Sequence, residues 1–300
     1  MSWGPRGSGY PPRVPKVLLL YPDAPFYRGT GYDRVWREAL EVEGCEVHVE
    51  GALARVAGPA APPAGSWDLV IPHVLIEEVT SFAPTLRAAA LLEAQGAPLL
   101  NSVRSILLSS DKRLTHALWA AEGLAQPDTR ALEELERWPG AAGRPLVLKP
   151  ALGEAGRDAQ LVRTLEAARA GERRWRRDAR RDGKPRGDAL LQDWIEDPVC
   201  LRVYATPEEA QPRGYEKLRA PGALVSDGGY RIAELAPAHA ELARRMVAAL
   251  GGGLMGVDIL VDRAGDAWAL EANAAFAFAV DDPEQARFCA RSAVRAAARA

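Results

Sequence analysis

GVDILVDRAGDAWALEAN, residues Gly256 to Asn273, reads as two short strands joined by a tight turn. Alternating apolar residues mark both strands, and Arg263 to Asp266, with its Ala264-Gly265-Asp266 cluster, supplies the turn. A symmetric turn sets Arg263 opposite Asp266, Asp262 opposite Ala267, Leu260 opposite Ala269 and Asp258 opposite Glu271. Two carboxylates then face each other across the hairpin, which destabilises a strand pair unless something neutralises them. A one-residue bulge in the turn would spoil this register.

Two readings of the acid pair stand side by side. Asn273 lies two residues beyond Glu271 and shares its face, because side chains along a strand alternate with period two. Oxygen atoms from an Asp, a Glu and an Asn suit a hard cation such as Mg²⁺, whose shell substrate phosphates usually complete. Asp258, Glu271 and Asn273 are therefore candidate metal ligands. The alternative is a solvated hairpin edge that carries unrelated acids.

The whole chain sets the frame for that hairpin. Its 300 residues, 48% of them hydrophobic, suffice for a substantial core and for about two domains. A formal charge of −2 gives no overall pull toward nucleic acid or an anionic membrane. Cys45, Cys200 and Cys289 are odd in number, far apart and in no C-x-x-C pairing, which argues against a disulfide framework or a thiolate zinc site and for a reduced, cytosolic setting. The apolar run Val17 to Tyr21 is too short for a signal peptide, and nothing approaches a membrane span. Residues 1–13 read as a flexible Pro/Gly tail.

Upstream, strands are expected at Val14 to Tyr21, Cys45 to Val49, Trp67 to Val74 and Pro98 to Leu100, with helices at Tyr32 to Glu43 and Phe82 to Gln95. This is the rhythm of a small open parallel sheet, and such sheets bind ligands at the carboxyl ends of their strands. The loop with Asp23, Tyr27 and Arg28 is thus either a substrate wall or an ordinary connection. Leu107, Leu108, Leu114, Leu118 and Trp119 repeat at helical spacing, and Ser109-Ser110-Asp111-Lys112 enters the second of one or two helices. Arg144 to Pro150 reads as a strand whose apolar run holds one lysine, Lys149. A loop with Gly153 and Gly156 follows, able to cradle phosphate oxygens through backbone N–H groups or simply to turn a hairpin. It is no P-loop, since no G-K-[ST] ends it and a strand comes next.

Between Glu172 and Asp188, eight Arg/Lys stand among four acids with one aromatic, Trp175, which favours a solvated helix and loop over a nucleic-acid-binding arm. Further strands are expected at Ala189 to Glu196, Leu201 to Ala205 and Tyr215 to Leu218, and helices at His239 to Leu250 and Pro283 to Ala300. Gly251, Gly253 and Gly256 satisfy G-x-G-x-x-G but follow a helix and precede a strand, the reverse of the dinucleotide-binding context. His48, His73, His116 and His239 have no ligand spacing, and no G-x-S-x-G elbow is present.

In order, N-S-x-x-S-I with S-D-K (Asn101 to Lys112), G-L-A-Q-P-D-T (Gly123 to Thr129), V-L-K-P with its glycine loop (Val147 to Gly156), L-Q-D-W-I-E (Leu191 to Glu196), Arg202, G-V-D-I-L and L-E-A-N cover about two-thirds of the chain. This series resembles the ATP-grasp superfamily, specifically its RimK-like and glutathione-synthetase-like carboxylate–amine ligases. The resemblance implies an α/β (α+β ATP-grasp) architecture. After the tail would come a Rossmann-like pre-ATP-grasp domain (14–103), an ATP-grasp N-terminal subdomain with the glycine lid (104–190) and a C-terminal subdomain with the metal-binding hairpin (191–300), the nucleotide lying between the last two. It implies ATP and Mg²⁺ (or Mn²⁺) as cofactors. Lys112 and Lys149 would touch ATP phosphates, with Lys149 also near adenine. The loop of Gly153 and Gly156 would close over the phosphates, and Gln192, Asp193, Trp194 and Ile195 would form a hinge strand along adenine. Arg202 and Lys217 would face the transferred phosphate or the reaction intermediate.

The implied activity is an ADP-forming ligase that joins a small-molecule carboxylate to an amine through an acyl phosphate, without nucleic-acid or membrane partners and with homo-oligomerisation left open. A kinase lacking the amine step and a catalytically weak ATP-binding accessory protein are the rival readings. The chain departs from the family pattern at Glu154-Ala155, where relatives carry a serine- and glycine-dense loop, and at Cys200, where relatives carry a ribose-binding acid. Asp258→Asn and Glu271→Gln are both expected to lower turnover by orders of magnitude with the fold intact.

Overall fold

A computed structural model of the chain describes residues 13–22, 32–52, 66–74, 79–137, 143–153, 156, 158–183, 187–219, 224, 229–276, 278 and 282–299. The candidate substrate loop with Asp23, Tyr27 and Arg28 lies outside these residues, as do Glu154 and Ala155.

Three sheets organise the molecule. The first runs β2 (Glu46–Gly51), β1 (Lys16–Tyr21), β3 (Leu69–Pro72), all parallel, and Leu99 adds a single parallel bridge to Val70 where a fourth strand was expected. Successive residues of β1 point to opposite faces. Val17, Leu19 and Tyr21 meet Trp36 and Leu40 of α1 (Tyr32–Val42) together with Phe288, Cys289 and Ala290 of the C-terminal helix α7 (Pro283–Ala297). Leu18 and Leu20 meet Ala88, Ala89 and Leu92 of α2 (Val79–Ala94). A strand covered on both faces explains why β1 is continuously apolar rather than alternating.

The second sheet, β4 (Thr129–Ala131), β7 (Ala189–Asp193), β5 (Leu146–Pro150), β6 (Gln160–Val162), is antiparallel. Leu146, Leu148 and Leu191 pack against Ala168 and Trp175 of α5 (Leu165–Asp182). The arginine-rich stretch is this helix: Ala168, Gly171, Trp175 and Ala179 are buried at helical spacing and the described arginines are exposed.

The third sheet runs β10 (Tyr230–Glu234), β9 (Arg213–Lys217), β8 (Val199–Ala205), β11 (Met255–Val261), β12 (Ala267–Asn273). Leu201, Val203, Val257, Ile259, Ala269 and Ala272 form its apolar face under Met246 and Val247 of α6 (Pro237–Ala249) and its C-cap Leu250. Its opposite face carries charge. α3 (Val103–Ser110) packs against α2 and β12, and α4 (Lys112–Ala121) reaches from β4 of the second sheet to β12 of the third. Trp119 of α4 donates its indole N–H to Met246 O on α6, while His116 turns toward β5 and β7.

The G-x-G-x-x-G run has a packing explanation. Gly251 ends α6 in a left-handed conformation (φ +64°). A Cβ on Gly253 would stand 1.9 Å from Leu100 O, so no other residue fits without moving the backbone. Asn101 seals the same contact. Its side chain donates to Leu254 O (2.8 Å) and Ala274 O (3.1 Å) and accepts from Gly253 N (2.9 Å) and Leu254 N (3.2 Å), which ties the first helix–sheet junction to the start and end of the hairpin.

No helix among the described residues is long and apolar enough to cross a membrane. Cys45, Cys200 and Cys289 are free and buried.

Candidate active site

The hairpin places its acids as the symmetric turn would, by a different route. The turn closes differently from the symmetric one: Asp262 N donates to Asp266 O (3.0 Å), so Arg263 to Gly265 separate the last pair, with Gly265 left-handed at φ +90°. Val261 therefore pairs with Ala267, Leu260 with Trp268 and Ile259 with Ala269. The register then shifts between Asp258 and Ile259, leaving Leu270 as the extra residue, and Asp258 faces Glu271. The bulge cancels the register offset that the turn introduces.

Asp258 is 1% exposed and its charge is answered by protein cations. Arg202, its cross-strand partner on β8, donates Nε to Oδ1 (2.5 Å) and Nη2 to Oδ2 (3.1 Å). Lys217 lies two residues beyond Tyr215, which pairs with Arg202, so it reaches the same face and donates Nζ to Asp258 Oδ2 (2.6 Å). Burial would raise the Asp258 pKa, but Arg202 and Lys217 outweigh it and pull it to about 2. Burial opposes the Arg202 charge too, and Asp258 more than compensates, holding that guanidinium well above its usual range. Gly256 makes room: a Cβ there would stand 3.3 Å from Arg202 Nη1 and 3.0 Å from Phe276 Cβ.

Glu271 is balanced by Lys112, whose Nζ lies 3.1 Å from Oε1. Burial raises the Glu271 pKa, yet Lys112 and Lys217 hold it below the usual carboxylate value. Asp111 sets Lys112 in place by capping α4, accepting from Arg113 N and Leu114 N. The lysine also donates to Gly153 O, so it bridges the glycine loop and the hairpin. Val74, Ser109, Lys112, Gly153, Glu271 and Asn273 line a small cavity of about 20 Å³ where the three sheets meet. Asn273 donates weakly to Gly256 O at 3.5 Å. Gly156 is described in a left-handed turn (φ +63°) and accepts from Ala159 N (2.9 Å).

Lys149 is buried and differs from Lys112 and Lys217: it lies against a neutral group, His116 Nε2, at 3.3 Å. Burial, reinforced by Lys112 and partly offset by Glu271, lowers its pKa to about 7. Gln192 is buried beside it, while Asp193 pairs with Arg144 (2.8 Å) at the end of β7 and its pKa is raised, first by burial. Trp194 and Ile195, expected inside the hinge strand, follow its end. Cys200, where an acid was sought, is buried on the charged face of the third sheet, and burial, reinforced by Asp258, pushes its thiol up to about 12.

Among the described residues no cluster of three His, Cys, Asp or Glu could hold a metal ion. The hairpin offers two carboxylates and an amide instead. That donor set fits Mg²⁺ only with phosphate oxygens filling the rest of the shell. The electrostatics agree. Arg202, Lys217 and Lys112 outnumber Asp258 and Glu271 by one charge and Lys149 adds to the surplus when protonated, which disfavours a bare divalent cation and favours a magnesium–triphosphate complex, itself a net dianion.

Sequence spacing missed the cluster of His116, Gln126 and Thr129 around Lys149 and Gln192. The available signal was position: His116 lies one helical turn after Lys112 on α4.

No protein-family model matches the chain. Among solved structures, D-cycloserine synthetase DcsG superposes with a TM-score of 0.67 at 17% identity, covering 94% of this chain and 99% of that one. A RimK-domain ATP-grasp protein from Sphaerobacter thermophilus gives 0.65 at 21% identity, over 93% and 99%. The ATP-grasp ligase PsnB, complexed with a minimal precursor, Mg and ADP, gives 0.65 at 17% identity, over 96% and 100%. With the order of its three sheets and these full-length superpositions, the chain has the ATP-grasp fold.

Proposed function

We propose that this chain is an ATP- and Mg²⁺-dependent ligase that joins a carboxylate to an amine, on an amino acid, small peptide or related metabolite, through an acyl phosphate. The carrying observation is the facing pair Asp258 and Glu271, held among four cations whose surplus suits a magnesium–triphosphate. Residues 14–103 serve as the Rossmann-like pre-ATP-grasp domain, 104–190 and 191–300 as the two ATP-grasp subdomains, and the nucleotide lies between them. The parallel sheet with helices on both faces supports the first assignment. Three free, buried cysteines support a reducing, cytoplasmic setting.

In this reading Asp258, Glu271 and Asn273 hold the metal. Mg²⁺, when bound, neutralises charge on the phosphate oxygens during transfer. Lys112 and Lys149 would touch ATP phosphates, with Lys149 also near adenine, and the carbonyl of Gly153 ties the glycine loop to Lys112. Gln192 to Ile195 line adenine. Once phosphate oxygens take over part of its pairing, Arg202 keeps free N–H donors for the oxyanion that forms when the amine attacks, and Lys217 stands beside it. The closed loop excludes water while the acyl phosphate exists.

The test is product stoichiometry over pairs of amino acids and dipeptides with Mg·ATP. The expected outcome is substrate-dependent release of ADP and phosphate in equal amounts. AMP with pyrophosphate would sink the acyl-phosphate scheme, and a stable phosphorylated product that hydroxylamine fails to trap would replace the ligase with a kinase.

A further inference from the structure

Resting on that reading of the nucleotide site, we propose that His116 is a positioning residue: a neutral, tautomer-locked hydrogen-bond acceptor that holds Lys149 toward the phosphates without cancelling its charge. Gln126 sets the tautomer of His116. Its amide donates Nε2 to His116 O (2.8 Å), which fixes the amide's orientation and leaves Oε1 facing His116 Nδ1 at 2.6 Å. An amide oxygen only accepts, so Nδ1 carries the proton and Nε2 carries the lone pair. Toward that lone pair come two groups that can only donate there, Lys149 Nζ (3.3 Å) and Gln192 Nε2 (3.2 Å). Gln192 is itself oriented by Thr129, whose hydroxyl oxygen lies 2.8 Å from the same amide nitrogen. Trp119 meets the imidazole edge-on, with ring centroids 5.5 Å apart, and limits its rotation.

The consequence is electrostatic. Lys112 and Lys217 spend part of their field on Glu271 and Asp258, whereas a neutral acceptor leaves that of Lys149 for a ligand. A carboxylate at position 116 would orient the lysine equally well and discharge it. Burial, with Lys149 adding to it, lowers the His116 pKa to about 3, so the imidazole stays an acceptor at neutral pH. The groups facing it are Lys149 from β5, Gln192 from β7, Thr129 from β4, Gln126 from the preceding loop and Lys112 from its own helix.

Two measurements decide the proposal. In ¹⁵N NMR of the wild-type protein, the His116 ring should show the Nδ1–H tautomer and remain neutral down to about pH 5. By calorimetry with Mg·ATP, His116→Leu should raise the Kd about tenfold or more, the range expected for a lost hydrogen bond to a charged group. His116→Gln, whose Oε1 falls near the position of Nε2, should stay within about threefold of wild type. An Nε2–H tautomer, a His116→Leu protein that binds like wild type, or a His116→Gln protein as impaired as His116→Leu would each overturn it. Wild-type protein that fails to bind Mg·ATP would overturn the function reading and this proposal together, which separates the two kinds of failure. The NMR result stands even where a variant does not fold.

Discussion

Asp258→Asn is expected to abolish turnover and to destabilise the fold, whereas Glu271→Gln is expected to abolish turnover alone. Sequence reasoning treated the two acids as equivalent metal ligands whose loss leaves the fold intact. They differ in what else they hold. Asp258 is fully buried with Arg202 and Lys217 on its two oxygens, and asparagine leaves both cations facing a neutral group. Breaking a buried ion pair from one side costs about 3–5 kcal/mol. For a chain of this size that lowers the Tm by roughly 6–15 °C. Glu271 is more exposed and faces one lysine, so its amide should shift the Tm by less than about 3 °C. Turnover should fall about 1,000-fold or more in both, as expected when transition-state charge loses its metal. Thermal melts beside an ADP-release assay read both effects. Equal Tm shifts would contradict the buried network. The sign with pH follows from the depressed pKa: Asp258 contributes its full stabilisation above 3.8 and loses it as pH falls toward about 2.

Lys149→Met should do the opposite to stability. The pKa of Lys149 is lowered from 10.5 to about 7, so the folded state disfavours its charge. That penalty is absent above pH 10.5, grows as pH falls and is complete below about 7. Removing the amine should raise stability near neutrality by up to about 4 kcal/mol, with a gain that shrinks toward pH 10. The same variant should bind Mg·ATP about 100-fold more weakly, the loss expected for a buried charged donor to phosphate. A Tm gain joined to lost affinity is the mark of a binding lysine kept in place against the stability of the fold. Reduced stability with unchanged affinity would make Lys149 a structural residue.

Much of the fold was legible because burial writes itself into residue patterns. β1 read as a buried strand since both of its faces are covered, and the arginine-rich stretch read as a solvated helix and loop since four acids and one aromatic, Trp175, stand among its eight Arg/Lys. Two strands escaped: β4 has three residues, and β10 is an edge strand whose residues are largely exposed. The hairpin shows the limit of counting by twos. Ala269 and Ala272 share one apolar face although they are three residues apart, a spacing only an extra residue at Leu270 permits. That odd spacing was visible, but alternation alone does not say whether to trust it.

The candidate site was legible in its lysines, glycine loop and acids, and illegible in its pairing. Nothing in spacing joins Asp258 to Arg202, 56 residues earlier, or to Lys217, 41 residues earlier; strand register on the third sheet does that. The opposed carboxylates were expected to need a metal between them, and the protein already neutralises them with its own side chains. His116 was set aside for lacking ligand spacing, because its contacts are hydrogen bonds to Gln126, Lys149 and Gln192 that come from three different elements.

The central claim is that the hairpin face recognises the metal only as part of a nucleotide complex. Calorimetric titration of the wild-type protein with Mg²⁺ alone, and then with Mg·ATP, addresses it directly. The surplus of cations around Asp258 and Glu271 requires no saturable binding of Mg²⁺ alone at millimolar concentration and a single Mg·ATP site in the micromolar range. Tight binding of Mg²⁺ by itself, or no binding of Mg·ATP, would contradict it.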